Sequence, residues 1–262
     1  MNFPILLISE IVGVIAVVLI LSISPVVKNK RPLQFLYPKR EGSAALTVGI
    51  LVLLFTAFVQ RFQPLLFAQL MNFTSYPGFF NAPKPTFADI NALTAGIIFS
   101  AAIIFPVGIS LFLRKQPLLS IGLSKPGLKI GLQTGAVLVI LVIFLQGKIF
   151  AIINGLAQGA FLTLAIAFVA VLGEEIVFRG YIQPRFAAWL GEKWGLLAAI
   201  LLYVVWWALP TIGSYNGDGL QLLGGFLYRI TLAFLLTWIM KKTGSLLTPV
   251  LYHTAHLWLA FM

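Results

Sequence analysis

The chain alternates long apolar runs with short polar connections. Runs of roughly 18 to 25 residues, which cross about 30 Å of hydrocarbon when helical, recur from end to end. We predict spans near 4–27, 43–67, 91–113, 128–147, 156–178, 195–209, 219–240 and 245–262, of which the sixth is shorter than the others. The predicted fold class is therefore all-α, a polytopic membrane helical bundle of about eight transmembrane helices. The count falls to seven if the nearly continuous fourth and fifth runs form one span.

The composition supports the same interpretation. Of the 262 residues, 60% are hydrophobic and only 10% are charged, and the mean hydropathy is +1.00. A water-soluble domain needs a more charged exterior, typically about 25% charged residues. We therefore expect an integral membrane protein in a lipid bilayer, with one membrane domain over 1–262.

Positive charge is concentrated in alternate connections, and the net charge of the chain is +11. The basic connections contain Lys28, Lys30, Arg31, Lys39, Arg40, Arg114, Lys115, Lys125, Lys129, Arg185, Lys193, Lys241 and Lys242. The positive-inside rule then predicts that both termini lie outside, in what we expect to be the plasma membrane of a prokaryote. Topology and anionic headgroups explain these charges better than a nucleic-acid partner does.

The chain contains no cysteine. This excludes disulfides, cysteine-ligated zinc, iron–sulfur clusters and cysteine-protease chemistry. Candidate chemistry must therefore come from the carboxylates, arginines and histidines inside the spans. Such residues are informative because a charge in hydrocarbon costs about 2.5 to 3.5 kcal/mol on insertion scales.

The strongest group lies in the run from Gly173 to Gly180, GEEIVFRG. On a helix, Glu175 and Arg179 are one turn apart on one face, where they can form an ion pair. Glu174 is rotated by about 100 degrees from that pair. It is a second carboxylate that the arginine does not obviously neutralise, and so a candidate general base. The alternative is a purely structural charge cluster between helices.

A second group lies near the carboxyl terminus. His253 and His256 are spaced i and i+3, so they share a helix face and can bind or relay together. Metal ligation would need at least a third ligand, such as Glu174. The alternative is two neutral imidazoles that are satisfied by neighbouring carbonyl groups.

The run around Glu174 resembles the first motif of the CAAX prenyl protease and bacteriocin-processing (CPBP, Abi-like) family of intramembrane metalloproteases. The shared features are Glu-Glu, three residues, Arg, then Gly and an aromatic residue, on a membrane helix. The motifs fall within 156–262, after N-terminal spans without motifs in 1–125. The resemblance implies that Glu174 activates the attacking water, while Glu175 and Arg179 hold the site together.

The other two family motifs are incomplete. The second has Phe, three residues and then His, often just before Leu-Pro; here Tyr203 takes the first place and Trp207 the histidine position. The third has His, three residues and then Asn; here His253 is present and Leu257 takes the asparagine position. His256 lies one residue before Leu257.

The resemblance implies an intramembrane endopeptidase that acts on a membrane-associated peptide or protein near the cytoplasmic face. Glu174 would activate water and His253 would polarise or ligate, with zinc as the candidate cofactor held by His253, His256 and Glu174. The rival hypothesis is a non-catalytic member of the family, for bacteriocin self-immunity or regulation of a partner, which the missing histidine and asparagine favour. Solute transport is the weakest alternative, because no inverted repeat is detectable.

Overall fold

The computed structural model describes residues 3–23, 35–62, 90–156, 159–214 and 219–261. Every regular element in these ranges is helical, which confirms the predicted all-α class. The helices are α1 (Phe3–Ile23), α2 (Pro38–Phe62), α3 (Ile90–Leu113), α4 (Lys125–Leu145), α5 (Ile149–Ile153), α6 (Ala160–Glu175), α7 (Gln183–Leu190), α8 (Glu192–Ser214), α9 (Gly219–Thr243) and α10 (Leu247–Phe261). A 3₁₀ turn (Leu118–Ile121) precedes α4, and a π-helix (Ile176–Ile182) joins α6 to α7.

Five helical stretches within the described ranges are long and apolar enough to cross a membrane. They are 38–62, 92–113, 118–145, 160–190 and 223–243. These stretches support an integral membrane protein, but the predicted count of about eight spans is not confirmed. The orientation of the termini stays a prediction.

The helical rod that carries the first motif is longer than its apolar run predicts. The predicted span ended near residue 178, whereas α6, the π-helix and α7 continue without a break to Leu190. We call these three consecutive elements, residues 160–190, the motif-bearing rod. In a π-helix the backbone hydrogen bonds join residues five apart instead of four apart, and such segments are frequent at functional sites. Gly180 lets the 3₁₀ turn approach this segment, because an added Cβ would lie only 3.1 Å from the Ile121 carbonyl oxygen.

The same rod corrects the prediction for Arg185, which was assigned to a polar connection. Arg185 lies on α7 and is 0% exposed. Its Nε donates to Glu41 Oε2 at 3.2 Å, and its Nη2 donates to Gln116 Oε1 at 2.5 Å and to Ser120 Oγ at 3.2 Å. A carboxylate from a distant helix and two further acceptors thus offset the burial of this charge.

Glu41 binds a second arginine with its other carboxylate oxygen. Arg114, just after α3, donates from Nη1 to Glu41 Oε1 at 2.6 Å and from Nη2 to the Arg40 carbonyl at 2.8 Å. We call Glu41, Arg114 and Arg185 the Glu41 cluster. Because its members come from the start of α2, the end of α3 and the start of α7, the cluster joins these three elements.

Several helix contacts depend on the absence of a side chain at glycine. A Cβ on Gly195 of α8 would lie 2.3 Å from the Phe186 carbonyl oxygen and 2.4 Å from Ala187 Cα, both backbone atoms of α7. A larger residue at position 195 would therefore prevent α7 and α8 from packing as closely as they do. By contrast, a Cβ on Gly108 of α3 would meet nothing within 4 Å.

Two apolar cores meet at the motif-bearing rod. The first includes Val14 of α1, Leu138 of α4, Val171 of α6 and Leu236 of α9. The second includes residues of α2, α3, the π-helix and α8, such as Phe178 of the π-helix. Glu174 and Glu175, at the end of α6, therefore lie where the two cores join, surrounded by packed side chains.

Candidate active site

The first part of the site joins Glu175, Arg179 and His253. Arg179 Nη1 lies 3.5 Å from Glu175 Oε1, and His253 Nδ1 lies 3.0 Å from the same oxygen. All three side chains are buried. Because an ionised carboxylate can only accept, Nδ1 carries the proton of a neutral His253, and Nε2 is then an acceptor. The structure thus brings together three of the four residues predicted to be catalytic.

Glu174 forms the second part of the site with two residues of other helices. Its side chain is 4% exposed. Tyr203 of α8 donates from its hydroxyl to Glu174 Oε2 at 3.2 Å, and Arg229 of α9 donates from Nη1 to the Tyr203 hydroxyl oxygen at 3.2 Å. Glu174 is therefore linked to a cation through a phenol, whereas the sequence predicted a carboxylate without a compensating charge.

Arg179 connects the two parts. Its guanidinium carbon lies 4.0 Å from the centre of the Tyr203 ring, a cation–π distance. The site therefore contains two carboxylates, Glu174 and Glu175, and two guanidinium groups, Arg179 and Arg229. Their formal charges cancel when His253 is neutral, which fits a cluster enclosed between apolar cores.

His256 takes part in a separate polar group. Its Nδ1 lies 3.2 Å from Gln146 Nε2, its Nε2 contacts the Tyr228 hydroxyl, and its ring stacks on Tyr228 and on Tyr252 at centroid distances of 5.9 and 6.0 Å. His253 binds a carboxylate of α6, whereas His256 binds a residue just after α4 and a residue of α9. The two imidazoles therefore diverge although they are only three residues apart.

The predicted metal ligands His253, His256 and Glu174 are not assembled by the structure. Among the described residues, no three histidine or acidic side chains form a group that could hold a metal ion. The physical reason is the divergence of the two histidines, both of which have partners of their own. These side chains do not fit a metal centre, and zinc stays a sequence-based prediction.

The two positions where the family motifs have histidine and asparagine are packed. Trp207, at the expected histidine position, lies edge-to-face with Phe226 at 5.7 Å, and the Arg229 guanidinium carbon is 5.1 Å from its ring. Leu257, at the expected asparagine position, is buried in the first core. Trp207 thus contacts an aromatic ring and a guanidinium group, and Leu257 lies among apolar side chains.

Sequence reasoning did not identify Tyr203 as a partner of Glu174. It treated Tyr203 only as the aromatic residue of the second motif. The available signal was the hydroxyl group of Tyr203 together with a second arginine inside a predicted span. Neither feature indicates which face of which helix it meets.

Comparison with known proteins supports the motif assignment. Residues 155–259 match the family model described as type II CAAX prenyl endopeptidase Rce1-like. No curated protein and no solved structure matches the chain. The matched range contains the residues of both parts of the site, which are Glu174, Glu175, Arg179, Tyr203, Arg229 and His253. Residues 155–259 are therefore similar to this family, and the resemblance to the CAAX protease and bacteriocin-processing family is confirmed over that range.

Proposed function

We propose that the protein is an intramembrane endopeptidase in which Glu174 activates water for attack on a peptide bond of a membrane-associated peptide or protein. The observation that carries the proposal is the buried Glu174 carboxylate, held by Tyr203 within the Rce1-like range. A Rce1-like match makes a CAAX-type tail the first substrate class to test. We place the reaction near the cytoplasmic face, where the basic connections are predicted.

The chemistry needs one base that later becomes an acid. Glu174 accepts a proton from water, and the hydroxide oxygen bonds to the peptide carbonyl carbon. The tetrahedral intermediate then breaks its carbon–nitrogen bond, and the leaving amine receives the proton from Glu174. His253, with Nδ1 bound to Glu175, offers Nε2 as an acceptor that orients the water.

Unsatisfied buried atoms beside Glu174 support a polar reaction site. Among the described residues, Glu175 Oε2 and both Nη atoms of Arg179 have no hydrogen-bond partner. Buried polar groups are ordinarily hydrogen-bonded, so such atoms call for an explanation. The peptide group of a substrate has an N–H donor and a carbonyl acceptor. The donor complements Glu175 Oε2, and the acceptor complements the Arg179 guanidinium group.

Cleavage of a prenylated CAAX peptide by purified protein in lipid vesicles tests the proposal. Glu174→Gln keeps the size of the side chain but removes its basicity, so we expect the rate to fall by about 10²- to 10⁴-fold. His256→Gln serves as a control, because that residue lies in a different polar group. Equal cleavage by Glu174→Gln and by the unaltered protein would contradict the proposal.

The second candidate function is a non-catalytic family member that binds a membrane peptide or partner protein, for example in bacteriocin self-immunity. The observation that favours it is the packing of Trp207, because an indole donates one hydrogen bond and cannot shuttle a proton. If the cellular phenotype of a deletion strain is restored as well by Glu174→Gln as by the unaltered protein, this second function is the correct one.

A further inference from the structure

The hydroxyl group of Tyr203 is where this chain differs from the family pattern next to Glu174. The pattern has phenylalanine at this position, and phenylalanine could not contact the carboxylate by a hydrogen bond. In this chain the hydroxyl oxygen lies 3.2 Å from Glu174 Oε2. The same chain lacks the histidine expected four residues later, at Trp207. The added hydroxyl and the missing imidazole thus occur on one helix, one turn apart.

Arg229 completes a chain of hydrogen bonds. Its Nη1 donates to the Tyr203 oxygen at 3.2 Å, and Tyr203 donates its proton to Glu174. Each bond in such a chain polarises the next, because a phenol that accepts from a cation becomes a better donor. Arg229 is 3% exposed, so solvent screens its charge very little.

The direction of the Tyr203 hydroxyl is fixed by its ring contacts. Arg179 covers one face of the ring at 4.0 Å, and Phe178 meets the ring edge-to-face at 5.1 Å. Tyr203 itself is 1% exposed. A ring held in this way keeps its place when only the hydroxyl is removed, so Tyr203→Phe deletes the hydrogen bond and leaves the packing.

We propose that Tyr203 and Arg229 position the Glu174 carboxylate in place of the missing second-motif histidine, with Arg229 acting through the Tyr203 hydroxyl. Tyr203 fixes Oε2, so that Oε1 is the oxygen aimed at the attacking water. Both are positioning residues, and their effect on the rate rests on the proposed peptidase function. Their effect on the carboxylate itself does not.

The test uses Tyr203→Phe, Arg229→Gln, Arg229→Lys and the Tyr203→Phe/Arg229→Gln double variant. Tyr228→Phe is the matched control, because it removes a buried tyrosine hydroxyl that contacts His256, one residue from Arg229. With a quenched fluorescent peptide carrying a prenylated CAAX tail, we expect Tyr203→Phe to lower kcat about 10- to 100-fold and to leave KM unchanged. Arg229→Lys retains part of the rate that Arg229→Gln loses, and the double variant is no slower than Tyr203→Phe.

A second readout is independent of proteolysis. Infrared difference spectra against Glu174→Gln, recorded with carboxyl-labelled glutamate, isolate the Glu174 band. We expect this band to shift in Tyr203→Phe and in Arg229→Gln but not in Tyr228→Phe. An unshifted band in Tyr203→Phe overturns the proposal. If the unaltered protein cleaves no peptide but the band shifts as expected, the peptidase function fails and the positioning role stands.

Discussion

The Glu41 cluster offers a direct test of how the N-terminal helices are joined to the motif-bearing rod. In Glu41→Gln, Arg114 and Arg185 both lose their carboxylate, although their side chains are 17% and 0% exposed. Removing one partner of a buried ion pair costs about 3 to 5 kcal/mol, because the remaining charge is left uncompensated. Glutamine keeps one acceptor oxygen, so we expect a loss of free energy of unfolding at the lower end, about 3 kcal/mol.

For a chain of this size, such a loss lowers Tm by about 6 to 12 °C. Thermal unfolding of detergent-solubilised protein, followed by the fluorescence of its six tryptophans, measures this shift. Glu192→Gln is the matched control. It breaks an ion pair in which Lys241 Nζ lies 2.5 Å from Glu192 Oε1, with the Glu192 side chain 63% exposed and that of Lys241 47% exposed. Exposed pairs of this kind contribute about 0 to 1 kcal/mol. The reasoning is refuted if Glu41→Gln lowers Tm no more than Glu192→Gln does.

Three further predictions concern packing, pH and topology. Gly195→Ala forces α7 and α8 apart and should cost about 3 kcal/mol or more in thermal unfolding, whereas Gly108→Ala should be neutral or slightly stabilising. The hydrogen bond to Lys241 and its charge lower the pKa of Glu192 below its ordinary 4.5, so the small stability that this pair adds is present above pH 4.5 and lost as pH falls through the lowered value. Glu192→Gln should remove that slope from Tm measured against pH. Because the chain has no cysteine, the variants Asn154→Cys and Lys193→Cys each carry a single thiol. We expect an impermeant thiol reagent to label Asn154→Cys only from outside and Lys193→Cys only from the cytoplasm. The reverse labelling pattern would contradict the predicted orientation of the spans.

The helices could be predicted from the sequence because lipid leaves the backbone few alternatives. Backbone groups in hydrocarbon must be satisfied internally, so an apolar run of sufficient length becomes a helix. The run predicted at 91–113 is α3, Ile90–Leu113. The prediction failed for the end of the motif-bearing rod, because Arg185 was taken as a sign of a connection. Its counter-charge, Glu41, is 144 residues earlier in the chain, and no local pattern indicates that pairing.

The sequence indicated some members of the site, but it indicated neither Tyr203 and Arg229 nor the pairings between side chains. The spacing of Glu175 and Arg179 indicates a shared face, and the structure places these side chains together. A helical wheel also shows that Glu174 lies on a different face of the helix from Glu175 and Arg179. It does not show that Tyr203 and Arg229, from two other helices, lie against that face. His253 and His256 share a face on paper, yet α10 lies between α6 on one side and α4 on the other, so each histidine finds a different neighbour.

Isotope incorporation tests the central claim, that the Glu174 carboxylate activates water inside the membrane. A prenylated CAAX peptide is incubated in ¹⁸O-labelled water with vesicles that contain equal amounts of folded unaltered protein or of Glu174→Gln. The account predicts one ¹⁸O atom in the new terminal carboxyl group with the unaltered protein, and labelled product that forms about 10²- to 10⁴-fold more slowly with Glu174→Gln. Labelled product at equal rates from both proteins would contradict it.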